Sequence, residues 1–228
     1  MVKPVLGYWN FRGMAEPIRY LLHYKKVDFE DKQYTFGGED WEKEKFDLGL
    51  DFPHLPYYID GDIKLTQSVT ILRYLAKKYE LDGKNDHERY KIYMVEQQSV
   101  DLWKSLRSVV MSNDYEILRK EFLENIPEHF KCFEEFLRGK NYLVGEDITY
   151  VDFMVFESLD FYTTFHGTAL DDFRILKAYW GKMKKLPELQ FYVNSCKRNF
   201  EPIPPRPKFE GPGPQLILKK PINPSLLF

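Results

Sequence analysis

Between Gly49 and Ser68 the chain reads GLDFPHLPYYIDGDIKLTQS, and few folds accept those residues in that order. His54-Leu55-Pro56 leads into a strand, Tyr57-Tyr58-Ile59. A proline there cannot donate to a strand ladder, so it belongs at a strand start. The Leu55–Pro56 bond is also a place where a cis peptide costs only about 0.5–1 kcal/mol. Asp60-Gly61 is a turn dipeptide between two strands, and Lys64-Leu65-Thr66 returns. Gln67-Ser68 then opens a helix to Tyr79, with Leu72, Leu75, Ala76 and Tyr79 at helical spacing. A helix start offers free N–H groups and a positive dipole end, which suits a carboxylate. Backbone groups of Leu55 beside such a helix start suit a small extended peptide with an anionic end. On this stretch alone, an ordinary hairpin and helix cap account for the residues equally well.

The segments around it follow the same logic. Val5 to Tyr8 is a short apolar strand, and Asn10 to Gly13 a polar turn. Met14 to Tyr24 carries Ile18, Leu21 and Leu22 on one face and is expected to be a helix, with Pro17 in its first turn where proline is tolerated. Phe29 to Tyr34 is a second strand, and Trp41 to Leu48 a helical turn or two. Beyond the polar stretch LDGKND, residues 81–86, strand signals stop. Helices are expected over His87–Met111, Tyr115–Leu137, Thr149–Phe165, Asp171–Lys184 and Pro187–Asn194. Pro127 should kink or break the second of these. Thr149-Tyr150-Val151-Asp152 is a capping box in its acidic variant. Pro202, Pro204, Pro205, Pro207, Pro212 and Pro214 forbid regular structure in the tail.

Composition excludes several classes. With 43% hydrophobic residues in 228 the chain can bury a substantial core. A formal net charge of −2 gives no reason to expect nucleic acid or an anionic membrane surface. No apolar run approaches the roughly 18 residues of a membrane span, and the amino terminus lacks a secretory pattern. Cys132 and Cys196 are the two cysteines, so free thiols in a reducing cytoplasm are expected rather than a disulfide. The five histidines, at 23, 54, 87, 129 and 166, show no metal-ligand spacing. No dinucleotide fingerprint, phosphate loop or serine-nucleophile elbow is present.

The segment GLDFPHLPYYIDGDIKLTQS closely resembles its counterpart in mu-class glutathione transferases, and LGYWNFRGMAEPIRYLL at the amino terminus resembles that family's first strand and helix. The resemblance runs from about Val5 to Cys196. It implies an α/β thioredoxin-like N-terminal domain over residues 1–82, a linker at 83–89, an all-α helical domain over 90–200, and a proline-rich tail at 201–228. It implies a cytoplasmic homodimer that activates glutathione as its thiolate and conjugates it to small hydrophobic electrophiles in detoxification, with no metal; a carrier of apolar compounds with vestigial conjugation is the alternative. Tyr8 would be the catalytic donor to the glutathione sulfur. Trp9, Met14, Trp41, Lys45, His54, Leu55, Pro56, Gln67, Ser68 and Asp101 would complete the glutathione site, Asp101 from the neighbouring subunit. Phe11, Met14, Arg107, Met111 and Phe209 would line the acceptor pocket. Phe52 would enter an apolar pocket of the other subunit, and Arg73 would lie at the twofold axis.

The Tyr8 assignment agrees with thiol energetics. Lowering a thiol from about 8.5 to about 7 takes roughly 2 kcal/mol. One hydrogen bond to a charged acceptor contributes about 1.5–3 kcal/mol. A single neutral phenol therefore suffices. The sequence departs from the family pattern at three places. His54 stands where asparagine is usual. The loop Phe36–Asp40 is short and has no arginine, as in invertebrate and helminth relatives. Met111 replaces a tyrosine that assists additions to epoxides and enones, which makes the pocket more apolar and adaptable.

Overall fold

The computed structural model describes residues 2–195; Cys196, Phe209 and the rest of the tail lie outside the described residues. The elements run β1 (Val5–Trp9), a 3-10 turn (Gly13–Ala15), α1 (Glu16–Tyr24), β2 (Glu30–Tyr34), α2 (Asp40–Glu44), β3 (Tyr57–Asp60), β4 (Ile63–Thr66) and α3 (Ser68–Lys78). Then come α4 (Asp86–Val110), α5 (Tyr115–Leu137), α6 (Tyr150–Phe165), α7 (Arg174–Lys184) and α8 (Pro187–Val193). A mixed α/β unit is thus followed by an all-helical one. α4 already begins at Asp86, so the later half of the expected 83–89 linker is helix; Asn85 caps it by accepting from Glu88 N–H at 3.0 Å.

The sheet has the order β2-β1-β3-β4. β1 and β2 are parallel, with Tyr8 opposite Gln33, while β3 is antiparallel to both β1 and β4. The Asp60-Gly61 turn links β3 to β4 as expected. Where β1 crosses β3 only glycine fits: a Cβ on Gly7 would lie 2.1 Å from the Tyr57 ring.

α6 explains why the helical unit holds together. Nearly every residue from Tyr150 to Phe165 is buried, which makes it an internal helix rather than an amphipathic surface one. It packs against α4 on one side and α1 on the other, so it touches both units. Its start carries the expected capping box: Asp152 accepts from the Thr149 N–H at 2.8 Å.

Two expectations are corrected. Of the kink or break expected at Pro127, the break is absent: α5 runs through it. A proline inside a helix costs about 3 kcal/mol, but Phe122, Ile126, Phe130, Phe133 and Leu137 form a buried stripe along it. Each such side chain contributes about 1.5–3 kcal/mol on burial, so packing outweighs the lost bond. α7 starts at Arg174, not Asp171. The N–H of Asp171 is taken by Thr168 in a turn, and the Glu134 carboxylate accepts from Ile175 and Leu176 N–H at 2.9 and 2.7 Å, fixing the helix start.

Candidate active site

β1 ends at Trp9 and the chain turns back over it. This turn brings the backbone N–H of Met14 to 3.3 Å from the Tyr8 hydroxyl, where it donates to the phenol oxygen. The phenol's own proton can then be donated elsewhere, and accepting a hydrogen bond makes a hydroxyl a better donor. Gly13 makes the approach possible. Its φ is +46°, and a Cβ would lie 2.6 Å from the Tyr8 oxygen and 2.8 Å from the Phe11 ring. Burial pushes the Tyr8 ionisation above its ordinary value, against the Met14 hydrogen bond and the charges of Arg19 and Arg107. The group is a neutral donor through the neutral range.

Beneath the turn lies a buried charge network. The Arg19 guanidinium donates to the carbonyls of Phe11 and Arg12, each at 3.3 Å, and pairs with Glu16 at 3.2 Å and Asp31 at 3.1 Å. Burial works against its charge, yet Asp31, Tyr192 and Glu16 more than offset that. Arg12 pairs with Glu157 at 3.2 Å and with Asp160, both on α6. Tyr20 on α1 donates to Glu157 at 3.0 Å, and Trp180 on α7 to Asp160 at 3.2 Å. The turn that carries Phe11 to Gly13 is therefore pinned from both units. Arg12, Arg19, Glu16, Glu157 and Asp160 were not singled out from sequence. The available signal was Glu157 and Asp160, two carboxylates three residues apart in the largely apolar run FMVFESLDF.

The expected site residues fall into two groups. Tyr8, Phe11, Trp41 and Leu55 share one buried apolar cluster, with Trp9 and Met14 packed against it. Trp41 stacks on Tyr57 at 6.1 Å, and Trp9 meets Phe36 edge-on at 5.4 Å. The Leu55–Pro56 peptide is cis, and Pro56 is buried. His54 is half-buried, its Nδ1 enclosed without a hydrogen-bond partner. Ser68, the first residue of α3, is buried, while Gln67 before it is exposed with φ +69°. Met14 and Ser68 reach the same crevice between the two units, walled across the way by Trp103 and Met154.

The remaining expected residues are not members of that cluster. Lys45 is paired with Glu42 at 2.6 Å. Asp101 is exposed on α4. Phe52 is 77% exposed. Arg73 makes a bidentate pair with buried Glu96 at 2.7 and 2.6 Å and lies over the Tyr93 ring at 5.1 Å. Arg107 is half-buried near the end of α4, and Met111 caps that helix. Among the described residues no group of three or more His, Cys, Asp and Glu could hold a metal, and no helix is long and apolar enough to cross a membrane.

Comparison with known proteins agrees with this geometry. Residues 4–77 match the model for the glutathione S-transferase N-terminal domain, and residues 100–196 that for the C-terminal domain. Glutathione S-transferase Mu 2 of Mus musculus is 42% identical over 213 residues, 91% of this chain and 98% of its own length. A glutathione S-transferase of Dermatophagoides pteronyssinus is 42% identical over 85% of this chain and 91% of its own. Among solved structures, the glutathione S-transferase Blo t 8 superposes with a TM-score of 0.78 at 33% identity, over 85% of this chain and 93% of its own. A pi-class enzyme of Onchocerca volvulus gives 0.77 at 30% identity, over 87% of this chain and 100% of its own. The paired α/β and helical units, the phenol at the end of β1 and these matches lead to one conclusion: the chain belongs to the glutathione S-transferase family, with mu-class enzymes among its relatives.

Proposed function

We propose that this protein conjugates glutathione to small hydrophobic electrophiles, with Tyr8 as the catalytic residue. The observation that carries this is the buried phenol, kept neutral by burial and oriented by the Met14 N–H. Its O–H donates a hydrogen bond to the glutathione sulfur, which stabilises the thiolate once the thiol proton has passed to solvent water, so the thiolate forms at neutral pH. Leu55 pairs through its backbone with the cysteinyl part of the tripeptide, flanked by His54 and Pro56. Gln67 and Ser68 take the γ-glutamyl end, Ser68 with its hydroxyl and the α3 start with its N–H groups. Trp9, Trp41 and Lys45 take the glycyl carboxylate, for which Lys45 exchanges Glu42. Held this way, the sulfur attacks an electrophile seated against Phe11, Met14, Arg107 and Met111, and positioning supplies much of the rate. Phe209, outside the described residues, belongs to the same proposed pocket.

The working form is a cytoplasmic homodimer. Phe52 is 77% exposed, and α4 presents Tyr90, Tyr93 and Met94 at 69%, 44% and 53%. An exposed aromatic on one unit and such a face on the other fit an interface anchor and its seat. In that dimer Arg73 lies at the twofold axis, and Asp101 reaches the γ-glutamyl ammonium of the partner's site. Met111, flexible and apolar where a hydroxyl is usual, favours a second reading as a carrier of apolar compounds.

Replacing Tyr8 by Phe tests the proposal. Turnover with a chlorodinitrobenzene should fall about 10- to 100-fold, the equivalent of one charge-assisted hydrogen bond, while the glutathione Kd stays within about threefold. Unchanged turnover would remove Tyr8 from the role. Because the phenol ionises above its ordinary value, its donor function is complete at neutral pH and fades only as pH rises past that value. The alkaline limb of the pH–rate profile should lie above about 10.

A further inference from the structure

Near the end of α4, on the proposed acceptor side, the chain places a half-buried guanidinium. Arg107 stands one turn beyond Trp103, and its guanidinium carbon lies 5.6 Å from the centre of the indole ring. Such stacking fixes the direction of a cation without neutralising it. Arg107 also occupies the last turn of α4, where the helix dipole favours positive charge. Trp103 in turn walls the crevice that Gly13 and Met14 line from the other side. Met14 is the residue whose N–H holds the Tyr8 hydroxyl. Phenol, Met14, indole and guanidinium thus form one short sequence of neighbours. The charge is felt across it. Burial lowers the Arg107 ionisation, Tyr8 opposes that shift, and Arg107 in return favours the ionised phenol.

Resting on the conjugation reading above, we infer that Arg107 selects electrophiles that carry an anionic group and also meets the negative charge they gather as sulfur adds. The reactions that fit are additions of this kind. In attack on a nitro-activated aryl halide, a sulfur electron pair forms the C–S bond and a ring pair moves onto the nitro oxygens. The halide then leaves with the C–halogen pair and the ring is restored. In attack on an enone, the displaced pair reaches the carbonyl oxygen, and water supplies the proton that completes the adduct. In both, oxygens gain charge as the C–S bond forms, and a guanidinium stacked on Trp103 supplies N–H donors to them. Met111 has removed a hydroxyl from this side of the pocket; Arg107 puts a fixed cation there instead.

The test uses paired acceptors, 4-chloro-3-nitrobenzoate and its methyl ester, with Arg107→Met and Arg107→Lys. Arg107→Met should lower kcat/KM for the benzoate at least about 10-fold more than for the ester. Arg107→Lys should recover part of that loss, and the ultraviolet titration of bound glutathione thiolate should be unchanged in both. An unaltered benzoate-to-ester ratio in Arg107→Met would overturn the inference while leaving the conjugation reading intact. So would an equal loss for both acceptors with a displaced thiolate titration, since Arg107 would then act on the sulfur. If the unaltered protein turns over neither acceptor and holds no thiolate, the conjugation reading itself fails, and the inference with it.

Discussion

The two sides of the proposed site are built by opposite means. On the glutathione side the decisive atoms are fixed by backbone and buried charge: Met14 N–H on the Tyr8 hydroxyl, and Arg19 on the carbonyls of Phe11 and Arg12. On the acceptor side, at the end of α4, side chains decide. Arg107 lies over the Trp103 ring, and Met111 stands at the helix cap. The first side tolerates almost no change of shape; the second can be retuned one residue at a time. A fold that delivers one constant thiol to varied electrophiles needs that division of labour.

The sharpest challenge is to remove a charge from beneath the rigid side. Arg12→Met leaves Glu157 and Asp160 buried on α6 without their cation, and stability should fall by about 3–5 kcal/mol. Urea unfolding at fixed protein concentration measures this; a loss under about 1 kcal/mol would mean the network is not what holds the turn. Next comes Gly13→Ala. The added methyl collides with the Tyr8 oxygen, and displacing that hydroxyl by about 1 Å should cost about 100-fold in turnover, with the melting temperature changed far less than in Arg12→Met. A near-normal rate would show that the turn can yield. Phe52→Ala sits outside both sides and should weaken self-association about 30-fold, as loss of an interface anchor of about 2 kcal/mol does; sedimentation at falling concentrations reads it directly. The smallest effect belongs to the adaptable side. Met111→Tyr should raise kcat/KM for enones by about threefold to tenfold and leave aryl halides nearly unaltered. An equal change for both classes would place residue 111 away from the developing oxyanion.

Legibility in the sequence followed range of interaction. The β1 strand that carries Tyr8, the β3–β4 hairpin, the α3 start and the α6 capping box are set by residues within a few positions of each other, and the sequence foretold them; the role of Tyr8 came from the family resemblance. Lys45 matched a family position, but its pairing with Glu42 was not anticipated. Arg12 meets Asp160 across 148 positions, and no local pattern announces such a pair. Pro127 misled for a related reason: its cost is local, while the buried stripe that overrides it depends on other helices. Asp171 read as a helix start because charge and periodicity continue through it, whereas Glu134, far away on α5, sets the true beginning of α7.

α6 has an implication for how the polypeptide comes apart. Its middle carries the carboxylates that neutralise an arginine of the sheet unit, so neither unit can open without stranding ions in a greasy interior. Melting should therefore occur as a single step even though two architectures are stacked in one chain. A protease cut at the junction should yield halves that fail to persist alone, because each would present to its own core a charge whose mate has departed.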